Sequence, residues 1–530
     1  TGIVKPPVVF FPDNQPNNIY VYIKTPEGTD QKVTDSITTI VENRVNNFLG
    51  KNNPAVESVI SNVALGAGDE ESFERTEASN KGKVSINFVE HKFRQNISTN
   101  AYLNAIRKAV KGIAGAEISV EKNRMGPPTG KPVNIEVSGE NLPDLVDDAN
   151  KFKSYIDSIQ IPGIEELKSN FAENTPELLI DIDRERANRE GITTGQIGME
   201  VRTAVFGKEV SKYKEDEDEY SIQLRYSDAQ RKNINALMNL RITYRDMNTG
   251  KLRSIPLSTV AKVQYSNTYG GITRKNMKRV ITLSSAVVPG YNANEIVAKI
   301  NKVAASFPKH YGIEIKLTGE QEEQADTQNF LGFSMMVAIG LIFFILISQF
   351  NSLSKTTIIL SEVIFSIIGV LLGIIIFGMS ISIIMTGLGI VALGGIVVRN
   401  GILIVEFTDV LRSRGVHTRE AIVRAGLTRI TPVVLTATAT MLGLVPLAIG
   451  MNINFKTIFT ELNPHIYFGG DNVMFWGPLS WTIIFGLSFA TFLTLIFVPA
   501  MYLLSHEMKI KLSRWKSNRK ARKALAITVR

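Results

Sequence analysis

The stretch GGIVVRNGILIVEF, residues 394–407, decides how the chain is read, because it sets a guanidinium in the middle of an otherwise apolar run. Residues 383–405 carry almost nothing polar apart from Arg399 and Asn400, and about 20 such residues cross the ~30 Å hydrocarbon core of a bilayer as a helix. A spanning helix is therefore predicted here. Arg399 lies about 10 Å along the axis from Glu406, farther than its stem comfortably snorkels, so it is predicted to face protein or water instead of lipid. At such depth an arginine costs about 2.5–3.5 kcal/mol on insertion scales and points to an acidic partner. The alternative is a structural arginine bonded to carbonyls of a neighbouring helix. Gly387, Gly394 and Gly401 recur every seven residues, which predicts a bare face where a neighbour carrying that partner can approach closely.

The charge distribution supports a membrane reading over a nucleic-acid one. Of the formal +9 on 530 residues, segment 505–530 contributes nine Lys/Arg against one acid, and segment 408–429 five against two. Residues 1–329 sum to about −1, so the basicity belongs to short segments beside apolar runs, where topology and anionic headgroups explain it. Cysteine is absent, which excludes disulfides and thiolate metal sites. No signal peptide is visible at the start and the first residue is threonine, which reads as a fragment.

Before residue 326 the pattern is that of an extracytoplasmic α+β region. Strands are predicted at 20–24, 56–62, 83–90 and 117–121, with helices at 29–49 and 99–113, the split βαβ arrangement of a ferredoxin-like sandwich. MGPPTGKP, residues 125–132, reads as a stiff boundary. A second unit has strands at 133–137, 165–169 and 177–183, a helix at 143–158 and another capped near Thr194. It resumes at 279–285, 293–307 and 313–317 after an insertion of roughly 80 residues. The acidic run EDEDE, 215–219, reads as a solvated loop. After residue 326 five apolar stretches follow, at 330–348, 357–377, 383–405, 432–450 and 474–504. Basic residues in the first and third connectors and in the tail place those inside, and the α+β region outside. Trp476 and Trp481 fit an interfacial belt, and Glu362 and Glu406 read as wet residues near cytoplasmic helix ends.

Enzymatic chemistry finds little footing. There is no GxxxxGK[ST] phosphate loop, no HExxH and no GxSxG, and the five histidines are scattered without metal spacing. An extracytoplasmic body fused to helices with an embedded cation fits energy coupling better.

Three blocks then carry a resemblance: GGIVVRNGILIVEF, EAIVRAGLTRITPVVLTATATMLGLVPLAIG (420–450) and FGLSFATFLTLIFVPAMYLL (485–504). With VFFPDNQPNNIYVYIKTPEGT, GPPTGKPV and PELLIDIDRERANREGIT upstream, they are similar to the C-terminal half of a resistance-nodulation-division (RND) transporter of the hydrophobe/amphiphile efflux type, an acriflavine-resistance-like permease. The resemblance implies a homotrimeric inner-membrane antiporter, not an enzyme, with no cofactor beyond the proton-motive force. It would work with a periplasmic adaptor protein and an outer-membrane channel, in contact with membrane lipid and small amphiphilic substrates, and without nucleic acid. The implied layout is a leading segment 1–11, a first porter subdomain 12–126, a second at 127–190 and 278–325, an inserted docking domain 191–277, five transmembrane helices 326–505 and a basic cytoplasmic tail 506–530. Arg399 falls where the family has a relay lysine, and Thr436 and Arg429 match a polar pair of the same relay. Gly66 and Gly68 mark a substrate-cleft loop. Taken without the resemblance, Thr436 is equally a hydroxyl bonded back to its own helix. Arginine does not deprotonate in proteins, so charge pairing and reorientation remain while loss of its own proton does not. The family's proton-carrying carboxylates have no counterpart in this chain, and are expected upstream or on another chain. Rival readings are a metal-exporting relative, for which Met125 is slender support, and a membrane-anchored binding or sensor module.

Overall fold

Alternation in NIYVYIK, with Ile19, Val21 and Ile23 buried and their neighbours half exposed, makes β1 (Asn18–Lys24) the central strand of a one-sided sheet. The computed structural model describes residues 6–528 apart from 13–14, 52, 69–77, 95–96, 124–129, 247–248 and 289, and without the side chains of 456, 512–513 and 516–528. Met125, most of the boundary stretch at 125–132 and most of the loop beyond Gly68 lie outside the described residues. After β1 come α1 (Gln31–Leu49), β2 (Val56–Val63), β3 (Lys81–Phe88), α2 (Thr99–Ala109) and β4 (Glu117–Lys122). Asp30 caps α1 by accepting from Lys32 N, and Thr34, Thr38, Val41, Val45 and Leu49 line its buried face at helical spacing. The antiparallel sheet runs β2-β3-β1-β4. Gly82 in β3 is required by packing, since a Cβ there would overlap the Thr38 hydroxyl.

The same strand order returns in a second sheet that begins with β5 (Val133–Gly139), α3 (Leu142–Ile159) and β6 (Lys168–Ser169) and is completed after an insertion. The inserted residues Phe171–Ile272 form a compact unit of their own. That unit contains β7 (Thr175–Ile182), α4 (Thr194–Phe206), β8 (Lys208–Glu215), β9 (Asp218–Leu224) and β10 (Ala261–Thr268). Beyond it come β11 (Lys278–Ser285), α5 (Ala293–Ser306) and β12 (Glu314–Leu317), giving a sheet β6-β11-β5-β12. Here the structure differs from the sequence reading. Strand β7 was assigned to the second sheet, yet it pairs along its whole length with β10 inside the separate unit. The acidic run is not a loop but the tip of the β8–β9 hairpin, with Asp216 at φ 54° in its turn, and both strands are exposed throughout.

In the second sheet domain the only described grouping that could hold a metal is Asp147, Asp148 and His310, and its members already serve one another. His310 Nδ1 lies 2.7 Å from a carboxylate oxygen of the buried Asp148, and its backbone N–H donates to the other at 2.8 Å. Asp147 accepts from Lys151. The bond to Asp148 raises the His310 pKa above its ordinary value, so the protonated ring favours the folded state. That stabilisation is complete below the unfolded histidine value, about pH 6.5, and disappears as pH rises through the raised folded value. Melting of the detergent-solubilised chain between about pH 5.5 and 8.5 is expected to show this loss, and His310→Gln to flatten it; an unchanged slope would contradict the assignment.

Among the described residues five helices are long and apolar enough to cross a membrane: α6 (Glu320–Phe350), α7 (Leu353–Ile376), α8 (Ile383–Ser413), α9 (Thr418–Ile449) and the start of α10 (Asp471–Thr528). The last of these runs on as helix through the basic tail. Helix α10 packs against α7, α8 and α9, and glycines let it come close. Gly369 faces Phe489, Gly373 faces Phe485 and Gly389 faces Thr482, the small-residue contacts that substitute for a hydrophobic driving force in lipid. At one end of the bundle Phe377, Trp481 and Phe485 stack on one another, and the Trp481 indole donates to Ala448 O at 3.0 Å.

Candidate intramembrane coupling site

Helix α8 begins where Ser382 accepts from Met385 N, and its two faces have different fates. Gly394, Val397, Val398, Gly401 and Ile404 are buried against other helices. Leu388, Ala392, Gly395, Arg399 and Glu406 are exposed at spacings of three, four and seven and form one open stripe. Arg399 thus stands mid-helix on a face that the other four helices leave bare. Among the described residues it makes no hydrogen bond or ion pair, so it is not held by carbonyls of a neighbouring helix in this chain.

The glycine face is not the arginine face. Gly387 abuts Leu331 of α6, Gly394 lies by Met335 and Val363, and Gly401 meets Glu362 of α7. Arg399 is about 140–160° around the helix from Gly394 and Gly401 at 100° per residue, so their bareness serves α6 and α7. The residues that leave room beside Arg399 are Ala392 and Gly395, and a Cβ on Gly395 would meet nothing within 4 Å.

The other anticipated residues are close in sequence to this region but not bonded to Arg399. Thr436 donates to Val433 O at 3.1 Å, a bond within its own helix. Arg429 lies over the Phe407 ring at 4.5 Å, with its Nε unpartnered. Gly66 has φ 72° and is exposed, Gly68 is half-buried, and neither lines the 420 Å³ cavity found elsewhere in the chain.

Sequence reasoning also misplaced one carboxylate and passed over a network. Glu362 is not wet: it is 1 % exposed, enclosed by α7, α8 and α10. Glu406 is exposed as anticipated. At the opposite end of the bundle from Trp481, Lys355 reaches Asp409 at 2.6 Å, Tyr502 donates to the other Asp409 oxygen at 2.6 Å, and Arg412 donates to the Tyr502 hydroxyl. Lys355, Asp409 and Tyr502 come from three helices, so only their pairing, not their spacing, reveals the network.

Two clasps join the sheet domains of this unit to the helices. Val8–Val9 pairs in parallel with Ile381–Ser382 immediately before α8, Ser382 donates to Phe10 O, and Asn294 at the start of α5 donates to Val8 O at 2.9 Å. On the other side Asn17 donates to Asp471 at the start of α10 and accepts from the buried Arg94. Movement of α8 or α10 therefore has a bonded route into both sheets.

Comparison with known proteins agrees with this architecture. A family model described as the AcrB/AcrD/AcrF family matches residues 1–454. The cobalt-zinc-cadmium resistance protein CzcA of Cupriavidus metallidurans is 30% identical over 378 residues, covering 71% of this chain and 33% of that protein. The multidrug resistance protein MdtC of Erwinia tasmaniensis is 23% identical over 516 residues, 96% of this chain and 46% of that one. A crystal structure of a heavy metal efflux pump superposes with a TM-score of 0.72 at 21% identity, over 94% of this chain and 48% of that one. The chain spans between a third and a half of the length of these relatives.

Proposed function

The chain belongs to the AcrB/AcrD/AcrF family of RND permeases, and on that premise we propose that it is the C-terminal half of a proton-driven antiporter of a bacterial inner membrane that exports amphiphilic compounds from the periplasmic side. The observation that carries this is Arg399: a fixed cation, mid-helix, on a bundle face with no partner among the described residues. A cation so placed needs an anion, and an anion that a proton can neutralise makes the pair a switch. The acid is supplied by transmembrane sequence outside these 530 residues. Protonating it releases Arg399, α8 shifts, and the clasp at Ile381–Ser382 passes the shift to the sheets.

The two sheets of order β2-β3-β1-β4 and β6-β11-β5-β12 support the reading of paired ferredoxin-like porter subdomains, and the separate unit Phe171–Ile272 that of a docking domain. Its β8–β9 hairpin exposes Val210, Tyr213, Tyr220, Ile222 and Leu224. A two-stranded ribbon with no buried face is marginal alone, which favours a trimer or an adaptor and outer-membrane channel that cover it.

Metal export is the second reading, favoured by the likeness to CzcA. Against it, the Asp147, Asp148 and His310 group is already committed to internal bonds. Vesicles containing the complete pump, given an inward-acid gradient, decide between them. Extrusion of an amphiphilic dye without extrusion of zinc or cobalt is expected, and gradient-driven metal extrusion alone would overturn the amphiphile assignment.

A further inference from the structure

Glu362 sits in α7 where the neighbouring helix has been pared back to admit it. Gly401 of α8 lies directly against the carboxylate, and a Cβ at that position would overlap Oε1. Thr494 of α10 faces the same group. Among the described residues neither buried carboxylate oxygen receives a hydrogen bond of ordinary geometry, although the Thr494 hydroxyl and the Gly401 N–H lie close enough to interact with it. The nearby groups explain why. Thr494 has a single hydroxyl hydrogen, and it goes to Ala490 O at 2.6 Å. Gly401 N–H lies inside α8 and serves the helix ladder. Both donors are thus engaged by their own helices, and the Thr494 oxygen can accept from a carboxylic acid that carries its proton.

Two more polar groups on the packed helices are stranded. Among the described residues, Asn400, adjacent to Gly401, is fully buried with neither amide atom bonded, and Thr491, one turn from Thr494 on α10, has an unpartnered buried hydroxyl. Orphaned polar atoms on neighbouring helices in a span demand an explanation, because each forfeits its hydrogen bond without regaining water.

Among the described residues no fixed charge offsets the carboxylate. On α8, Arg399 and Glu406 point away from the packed face, and Asp409 is taken by Lys355 of α7 and Tyr502 of α10. On α10, Tyr502 is the only titratable side chain between Asp471 and His506. On α6, no charged residue follows Asp326. An ionised, unpaired carboxylate enclosed in this way is strongly disfavoured.

We infer that Glu362 is a second proton-binding site of the pump, located within this half of the bundle between α7, α8 and α10, with Thr494 as the acceptor of the acid's hydrogen bond. It gains and loses a proton during the transport cycle, with no bond made or broken other than that to hydrogen. It lies on the face of α8 away from Arg399, so α8 carries a proton-responsive contact on each side. This deepens the antiport reading and rests on it.

The test uses the complete pump in vesicles, with efflux of an amphiphilic dye followed under an imposed pH gradient and at a series of external pH values. Glu362→Gln keeps the shape and permanently presents the uncharged side chain. It is expected to melt like the parent in detergent while gradient-driven efflux falls by about tenfold or more and its pH dependence flattens. Glu362→Asp keeps the acid one methylene shorter and is expected to retain efflux with a displaced midpoint in the pH profile. Efflux of the Gln variant within about twofold of the parent, with the same pH profile, overturns the inference. Should the Gln variant fail to assemble, an undisplaced profile for Glu362→Asp overturns it instead. Arg399→Ala runs in parallel to separate the two claims. If that variant loses coupling and Glu362→Gln does not, antiport stands and the second proton site falls; if neither loses coupling, both fall.

Discussion

Arg399→Ala is expected to abolish gradient-driven efflux in the complete pump while leaving membrane insertion, abundance and melting of this chain on its own unchanged. The two halves of this expectation have separate grounds. Within these five helices the guanidinium makes no hydrogen bond or ion pair among the described residues, and removal of an exposed side chain without partners usually changes stability by no more than about 0.5 kcal/mol. Insertion should if anything become easier, since a mid-membrane arginine costs about 2.5–3.5 kcal/mol. Coupling is a different matter. If protonation of an acid acts by releasing a cation, then with the cation gone the protonated and ionised states no longer differ in what they hold, and efflux should drop to that of vesicles without a gradient. Arg399→Lys sharpens the reading. It preserves the charge but not the planar fork, and unlike arginine it can lose its proton in a buried setting. Partial efflux from the lysine variant with none from alanine is the pattern expected of charge pairing. Coupled efflux from Arg399→Ala at parental rates would remove the basis of the antiport assignment.

Much of this was legible in the sequence because it depends on quantities a sequence carries directly: length, period and sign of charge. Five apolar runs of sufficient length became five helices, and the alternation in residues 18–24 became the centre of a sheet. Depth in the membrane was legible too, which is why Arg399 drew attention. Azimuth was not. Glu362 lies nine residues from the start of α7 at Leu353 and reads as wet from its distance to the helix end, but whether a side chain at that height meets water or a neighbouring helix depends on the helix rotation. Rotation is set by partners such as Gly401 and Thr494, far away in sequence. The same blindness assigned Gly387, Gly394 and Gly401 to whatever binds Arg399, when a five-residue offset turns Arg399 well away from Gly394. Strand β7 failed for a related reason. Its own residues favour a strand, but its partner β10 begins about 80 residues later, and strand propensity names no partner. Lys355, Asp409 and Tyr502 are individually ordinary and become a network only once three helix ends meet.

The second large effect concerns packing, and it separates faces that the chain closes itself from faces it leaves open. Gly486 of α10 sits where three helices converge: a Cβ there would overlap Leu393 of α8, crowd Val370 of α7 and press on the backbone carbonyl of Ser366. Side chains can turn aside, but the carbonyl belongs to a helix and cannot, so Gly486→Val should drive α7 and α8 off α10. Overpacking of a filled core typically costs about 1–3 kcal/mol, and contact with backbone places this case at or above the upper end. The expected outcome is a strongly reduced yield of folded protein and a melting temperature in detergent well below the parent, even for this chain alone. Gly395 is the matched control, one turn from Arg399 on α8 with nothing within 4 Å of its Cβ position. Gly395→Val should leave the folding of this chain untouched. In the complete pump the same substitution should instead depress coupled efflux, because a helix bearing the partner of Arg399 must come close at that point. Were Gly395→Val neutral there as well, the open stripe of α8 would be facing lipid, and Arg399 would have no switch to answer to.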